Sequence, residues 1–259
     1  MYVAELEFSV IANTDFNQAE VAIRNYIEAL IFNGQVLGRE FPTAWLQESF
    51  SCRVVLPHQD ALQPKQHSAK ATAALNHLGA AGLAFPQLNI VGMDLMSQHT
   101  DPCSAPASYI VYSRFSDTCS PVRCGEHLAP IPLYQLSNTA TDFEMLIRWQ
   151  LQYQALDEIQ MQQHRVLNKS AERSLQQLHS QLNRQGRQLA KQLELANQVP
   201  VYYALYSGTS PDCANEADKR CPSCQGNWRL TEPVAELFDF QCQRCRLVSN
   251  IAWDCQSPS

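Results

Sequence analysis

The residues best equipped for chemistry are four cysteines near the end of the chain: Cys221-Pro222-Ser223-Cys224 and, seventeen residues on, Cys242-Gln243-Arg244-Cys245. Two Cys-x-x-Cys pairs at this separation predict a four-thiolate zinc site. Each pair forms a tight knuckle with both sulfurs on one side of a turn. The residues between can run out and back as a hairpin, so that the pairs face each other. Four thiolates fill a tetrahedral shell and leave no place for water or substrate, so the Zn2+ ion is expected to be structural rather than catalytic. Four reduced thiols or two disulfides are the plainer alternatives, and the doubled spacing argues against both.

The flanks suit a zinc ribbon over residues 213–255. Gly226 can open the turn after the first knuckle, and Asn227 to Leu230 reads as a strand. Phe238-Asp239-Phe240 leads into the second knuckle and Arg246 to Trp253 leads out of it. Trp228, Phe238, Phe240 and Trp253 are expected to form the ribbon's small core rather than a base-stacking platform. So small a module cannot bury enough apolar surface alone, which makes metal binding its folding energy.

A second cluster is looser. Cys103, Cys119, Cys124 and His127 lie within twenty-five residues, and Cys124-Gly125-Glu126-His127 has the Cys-x-x-His spacing of a zinc knuckle. Cys119 is close enough in sequence to be a third ligand, with Cys103, Cys213 or Cys255 as the fourth. The same residues also suit buried thiols beside a surface histidine, or a thiol or metal sensor using Cys119, Cys124 and His127.

Around these clusters the chain has 259 residues, ten cysteines and 45% hydrophobic residues. The N-terminus MYVAELEFSV lacks the features of a signal peptide, and no run approaches eighteen apolar residues, so no membrane partner is expected. Cysteine-rich but without a secretory signal, the chain reads as cytoplasmic. A net charge of −6 argues against non-specific coating of nucleic acid, although a local basic face is compatible with it.

The elements that must position these residues make an α+β chain. Residues 1–96 read as β-α-β-β-α-β, the ferredoxin-like plan. The strands fall at residues 2–10, 35–41, 45–56 and 88–93, with helices at about 16–32 and 68–84. Residues 97–206 form an irregular cysteine-containing region with one strand at 108–115. About sixty helical residues follow, read as two helices with a weak point at 168–170, and then a strand at 201–206. The leucine stripe through Leu175, Leu178, Leu182, Leu189 and Leu193 is expected to pack on the chain's own sheet rather than form a dimer or membrane face.

Four segments carry a resemblance that spans the chain. They are MYVAELEFSV, SPVRCG at Ser120 to Gly125 with Pro132-Leu133-Tyr134, NRQGRQLA at Asn183 to Ala190, and FDFQCQRCRLVSNIAWD at Phe238 to Asp254. The chain resembles an uncharacterised bacterial family of zinc-ribbon-containing proteins for which nucleic-acid binding is inferred from the ribbon. The resemblance implies ribbon ligands at Cys221, Cys224, Cys242 and Cys245, and a family cysteine where this chain has His127.

For nucleic acid, the basic residues decide. Residues 213–255 carry five basic and six acidic side chains, so the ribbon alone is no basic footprint, although Arg244 and Arg246 sit on its second knuckle. Residues 164–198 carry Arg165, Lys169, Arg173, Arg184, Arg187 and Lys191 against Glu172 and Glu194. Arg184, Arg187 and Lys191, with Arg244 and Arg246, are therefore the candidate contacts to RNA or DNA; the plainer reading is a solvated helix face. The rival function is an adaptor that docks on a protein complex through the ribbon and a sheet edge. No catalytic constellation is legible, and the expectation is a non-enzyme.

Overall fold

The computed structural model describes residues 1–11, 14–39, 41–162 and 166–256. Arg165, counted in the basic helical stretch, lies outside them. The chain groups into two compact units. The first is Met1–Thr100 with two short segments, 118–120 and 130–144; the second is 101–117, 121–129 and everything from Met145.

The first unit runs β1 (Tyr2–Ser9), α1 (Phe16–Phe32), β2 (Thr43–Leu46), β3 (Ser49–Leu56), α2 (Ala69–Ala80) and β4 (Gln87–Met93), the expected succession of types. Its antiparallel sheet has the order β2-β3-β1-β4. Alternation on β1 sends Ala4, Leu6 and Phe8 into the core, while Glu7 faces out. Asp15 caps α1 by accepting from the Gln18 amide at 2.9 Å, and Ile23, Tyr26, Ile27 and Leu30 bury one face of that helix. Ser68 caps α2 by accepting from the Ala71 amide.

Two details depart from expectation. The described residues of 35–41 form no strand, and Leu37 makes an isolated bridge to Val55. Gln35 is buried there, donating to the Ala61 carbonyl and accepting from Asn33, and Gly38 takes φ +108°, which breaks the ladder. The single strand expected over 45–56 is a hairpin. Gln47 (φ 47°) and Glu48 (φ 68°) make a two-residue turn with both residues left-handed, the geometry usually supplied by Asn-Gly.

In the second unit, β5 (Tyr109–Val111), β6 (Val122–Cys124), β7 (Val201–Leu205), β8 (Arg229–Val234), β9 (Phe238–Cys242) and β10 (Leu247–Ser249) form one sheet in the order β6-β5-β7-β10-β9-β8. The central strand β7 pairs in parallel with both β5 and β10, and all five of its residues are buried. The cysteine-bearing tail is thus continuous with the strands of the middle region. The helical stretch is α3 (Glu144–Met161), α4 (Asn168–Gln176) and α5 (Gln181–Asn197). The stretch is interrupted just before Asn168, close to the expected 168–170, and a second time at residues 177–180, where Ser180 accepts from the Asn183 amide and starts a new helix. Leu182 and Leu193 of the stripe are buried. Cys213 and Cys255 are joined in a disulfide across a separation of 42 residues, so neither is the fourth donor expected as one option for the second cluster.

Candidate metal centre and its basic neighbour

Cys221 and Cys224 flank a tight turn closed by two backbone bonds, Gln225 amide to Cys221 carbonyl at 2.9 Å and Cys221 amide to Gly226 carbonyl at 3.0 Å. Cys242 ends β9 and pairs with Leu247 on β10, so the second turn closes over Cys245. In both turns the residue after the second cysteine is left-handed: Gln225 at φ 58° and Arg246 at φ 52°. The four sulfurs all lie within 4.8 Å of one another, with Cys224 and Cys242 at 3.7 Å. A tetrahedron with metal–sulfur bonds of about 2.3 Å has edges of about 3.8 Å. The donor set and its spacing therefore fit zinc.

Burial pushes the Cys242 thiol up to about 12 and also raises Cys221. The Gly226 amide, with Cys245 next, pulls Cys224 down to about 7. A divalent cation reverses the cost of burying thiolates by supplying the opposite charge among them. Next to the cluster, Trp228 stacks on Phe240 with centroids 5.1 Å apart and donates its indole N–H to the Lys219 carbonyl. Trp228, Phe238 and Phe240 are buried, whereas Trp253 is 46% exposed and outside that small core.

The basic candidates from two distant parts of the sequence meet. Arg187 and Lys191 of α5 line a cleft of about 270 Å3 together with Arg244, Cys245 and Arg246 of the second knuckle. Glu194 also lines it and accepts from Arg246 Nε at 2.8 Å. Partial burial pushes the Glu194 carboxyl up, but the Val201 amide and Arg246 outweigh it and hold the group below its usual range. Arg184 is exposed on α5 but does not line the cleft.

The second cluster differs from expectation by one ligand. Asp101, Cys103, Cys124 and His127 converge with one donor atom each within 4.8 Å, and Cys119 is not among them. Cys119 belongs to the other unit, buried with Met1 and Leu37, its sulfur 3.8 Å from Gln98 Oε1. Between Cys119 and Cys124 the chain extends into β6, and an extended strand carries residues apart rather than turning them together. Sequence reasoning missed Asp101; the one signal was a carboxylate two residues before Cys103.

A further feature had no sequence signal at all. An apolar cavity of about 480 Å3 in the second unit is lined by Tyr112, Phe115, Tyr153, Tyr206 and Phe238, with Asp157 at its wall. Burial raises the Asp157 carboxyl above its usual range, although the Phe115 amide donates to it at 2.8 Å.

An uncharacterized protein of Haemophilus influenzae (strain ATCC 51907 / DSM 11121 / KW20 / Rd) is 35% identical over 260 residues, covering 98% of this chain and 99% of that protein. The chain belongs to that protein's family. A second uncharacterized protein of the same strain is 37% identical over 174 residues, 67% of this chain and 85% of its own length. Three domains of unknown function match this chain in turn: DUF8589 over 1–92, DUF2310 over 103–206 and DUF8594 over 211–255. The four-cysteine cluster lies in the last and the Cys103–His127 region in the second. Among solved structures, a "putative antibiotic biosynthesis monooxygenase" from Deinococcus radiodurans covers 36% of this chain and 93% of its own at 9% identity, with a TM-score of 0.26. A likeness that weak carries no argument. No described helix is long and apolar enough to cross a membrane.

Proposed function

We propose that this chain is a zinc-ribbon protein that binds RNA or DNA through the second knuckle and helix α5. Cys221, Cys224, Cys242 and Cys245 hold one structural zinc, and with four sulfurs around it the ion takes no part in a reaction. The first unit is read as ferredoxin-like from its strand order, and the protein as a non-enzyme. Thiol ligands need a reducing compartment, which suits the cytoplasm, although the Cys213–Cys255 disulfide runs against that.

One observation carries the reading. Four cations and a single carboxylate surround one cleft, and two of those cations are fixed there by the turn that the metal closes. Zinc binding and phosphate attraction are thereby coupled. A gel shift with single- and double-stranded oligonucleotides tests it: affinity falls steeply as salt rises, and replacing Arg187, Lys191 and Arg244 by Ala flattens that slope. The absence of any shift at low salt with zinc-loaded protein refutes it.

An adaptor is the second reading, favoured by β4. It is an edge strand of its sheet with Leu88, Val91 and Met93 exposed, a row that a partner strand could extend. Capture of partners that survive nuclease treatment supports the adaptor over the nucleic-acid reading.

A further inference from the structure

We propose that Asp101, Cys103, Cys124 and His127 form a second metal centre, separate from the four-sulfur site, that binds a divalent transition cation with zinc foremost. The backbone supplies the first argument. The turn Cys124–Ala129 repeats the turn Cys221–Gly226 bond for bond. The Leu128 amide donates to the Cys124 carbonyl at 3.0 Å, as Gln225 does to Cys221 at 2.9 Å. The Cys124 amide donates to the Ala129 carbonyl at 2.9 Å, as Cys221 does to Gly226 at 3.0 Å. Leu128 is left-handed at φ 55°, as Gln225 is at φ 58°. A β-carbon in that region costs about 1 kcal/mol or more, so its recurrence at the same step of both turns is not a loose coil. His127 stands where the other turn has Cys224.

The donor atoms supply the second argument. His127 Nδ1 is 3.6 Å from both Cys103 Sγ and Cys124 Sγ and 3.0 Å from Asp101 Oδ1. A tetrahedral zinc with bonds of about 2.3 Å to sulfur and about 2.0 Å to nitrogen and oxygen sets sulfur–nitrogen edges near 3.6 Å and nitrogen–oxygen edges near 3.3 Å. A His–Asp hydrogen bond alone explains the shortest contact. It does not explain two sulfurs equidistant from the same nitrogen.

Anchoring supplies the third. Arg123, next to Cys124, is buried, pairs with Asp117 at 2.7 Å and reaches the Leu128 carbonyl. Gly125 donates to the Ser108 carbonyl at 2.8 Å, and a β-carbon at residue 125 would collide with the Ser108 side chain. The knuckle is therefore held in place by protein contacts, while Asp101 and Cys103 come from a segment without regular structure. Four protein donors close the shell, so the ion ties that segment to the β6 turn. Two sulfurs, a nitrogen and an oxygen make a harder set than four sulfurs, and His127 is exposed, so this ion exchanges faster.

Metal content of the purified, reduced full-length chain, read with cobalt(II) substitution, tests the proposal. Wild type is expected to hold two equivalents. The double variant Cys103→Ala/His127→Ala is expected to hold one, losing about a third of the thiolate-to-cobalt charge-transfer intensity as six cobalt–sulfur bonds become four. One equivalent in wild type with unchanged intensity in the variant overturns this centre and leaves the ribbon standing. Two equivalents in the variant also overturn it. If the variant does not fold, wild-type stoichiometry decides, and a variant with Cys221, Cys224, Cys242 and Cys245 all replaced by Ser that keeps one equivalent of two-thiolate cobalt supports the proposal.

Discussion

Arg246 donates from Nε to Glu194 Oε2 at 2.8 Å, joining the last turn of α5 to the residue that follows the second cysteine pair. The guanidinium also lies 5.7 Å from the Tyr202 ring centroid on β7. One side chain thus fastens the Cys242–Cys245 turn to both the helix and the central strand of the sheet. Both partners are about a third exposed, so the pair contributes no more than ~1 kcal/mol. Glu194→Gln is expected to lower stability by ~0.5 kcal/mol in urea titration. It also removes the one carboxylate from the cleft, so oligonucleotide affinity at low salt is expected to rise several-fold in the gel shift.

Gly186 sits beneath Trp149 and Tyr203, and a β-carbon there would lie 2.7 Å from Trp149 Nε1 and nearer still to the Tyr203 ring. Both rings are buried, and Tyr203 hydrogen-bonds Asn183 on the same helix, so neither can move aside cheaply. Gly186→Ala is expected to destabilise the second unit by roughly 1–3 kcal/mol, as overpacking does, seen as a lowered unfolding midpoint. Gly79, with open space around it, is the control; Gly79→Ala in α2 is expected to be neutral or stabilising.

Asp157 should show in the pH dependence of stability. Its folded-state carboxyl is raised, by burial first and by Asp117 as well, against the Phe115 amide and Arg114. A raised carboxyl binds its proton more tightly when folded, so its contribution is largest below the unfolded value of about 3.9 and is lost as pH rises through the folded value. Asp157→Asn is therefore expected to gain stability relative to wild type between pH 4 and pH 7. A constant difference across that range contradicts the assignment.

How far these features were legible follows from how local their causes are. The Cys-x-x-Cys pairs were legible because the turn that presents each pair of sulfurs is encoded within six residues. The faces of β1 and α1 were legible because Ala4, Leu6 and Phe8 alternate and Ile23, Ile27 and Leu30 recur at helical spacing. The β2–β3 turn was hidden because Gln47 and Glu48 take left-handed angles without glycine. Asp101 was hidden because its place beside His127 depends on the path of an irregular segment, to which hydrophobic periodicity gives no clue. The pairing of β10 with β7 was hidden as well, since parallel partners far apart in sequence leave no local mark.

That pairing shapes the response to chelation. Residues 221–246 are expected to lose order with the metal, because the ion is what ties the two cysteine turns together and its binding energy is folding energy for so small a module. Loss of β9–β10 register then reaches β7. Limited proteolysis of chelated protein is expected to cut first between Lys219 and Arg246, while the β1–α1 region resists for longer.

The claim beneath all of this is that four sulfurs at the end of the chain share one ion. Zinc content of Cys242→Ser, measured beside wild type on reduced and extensively dialysed protein, tests it most directly. The account predicts a loss of one equivalent per chain, and the same zinc content in both proteins would contradict it.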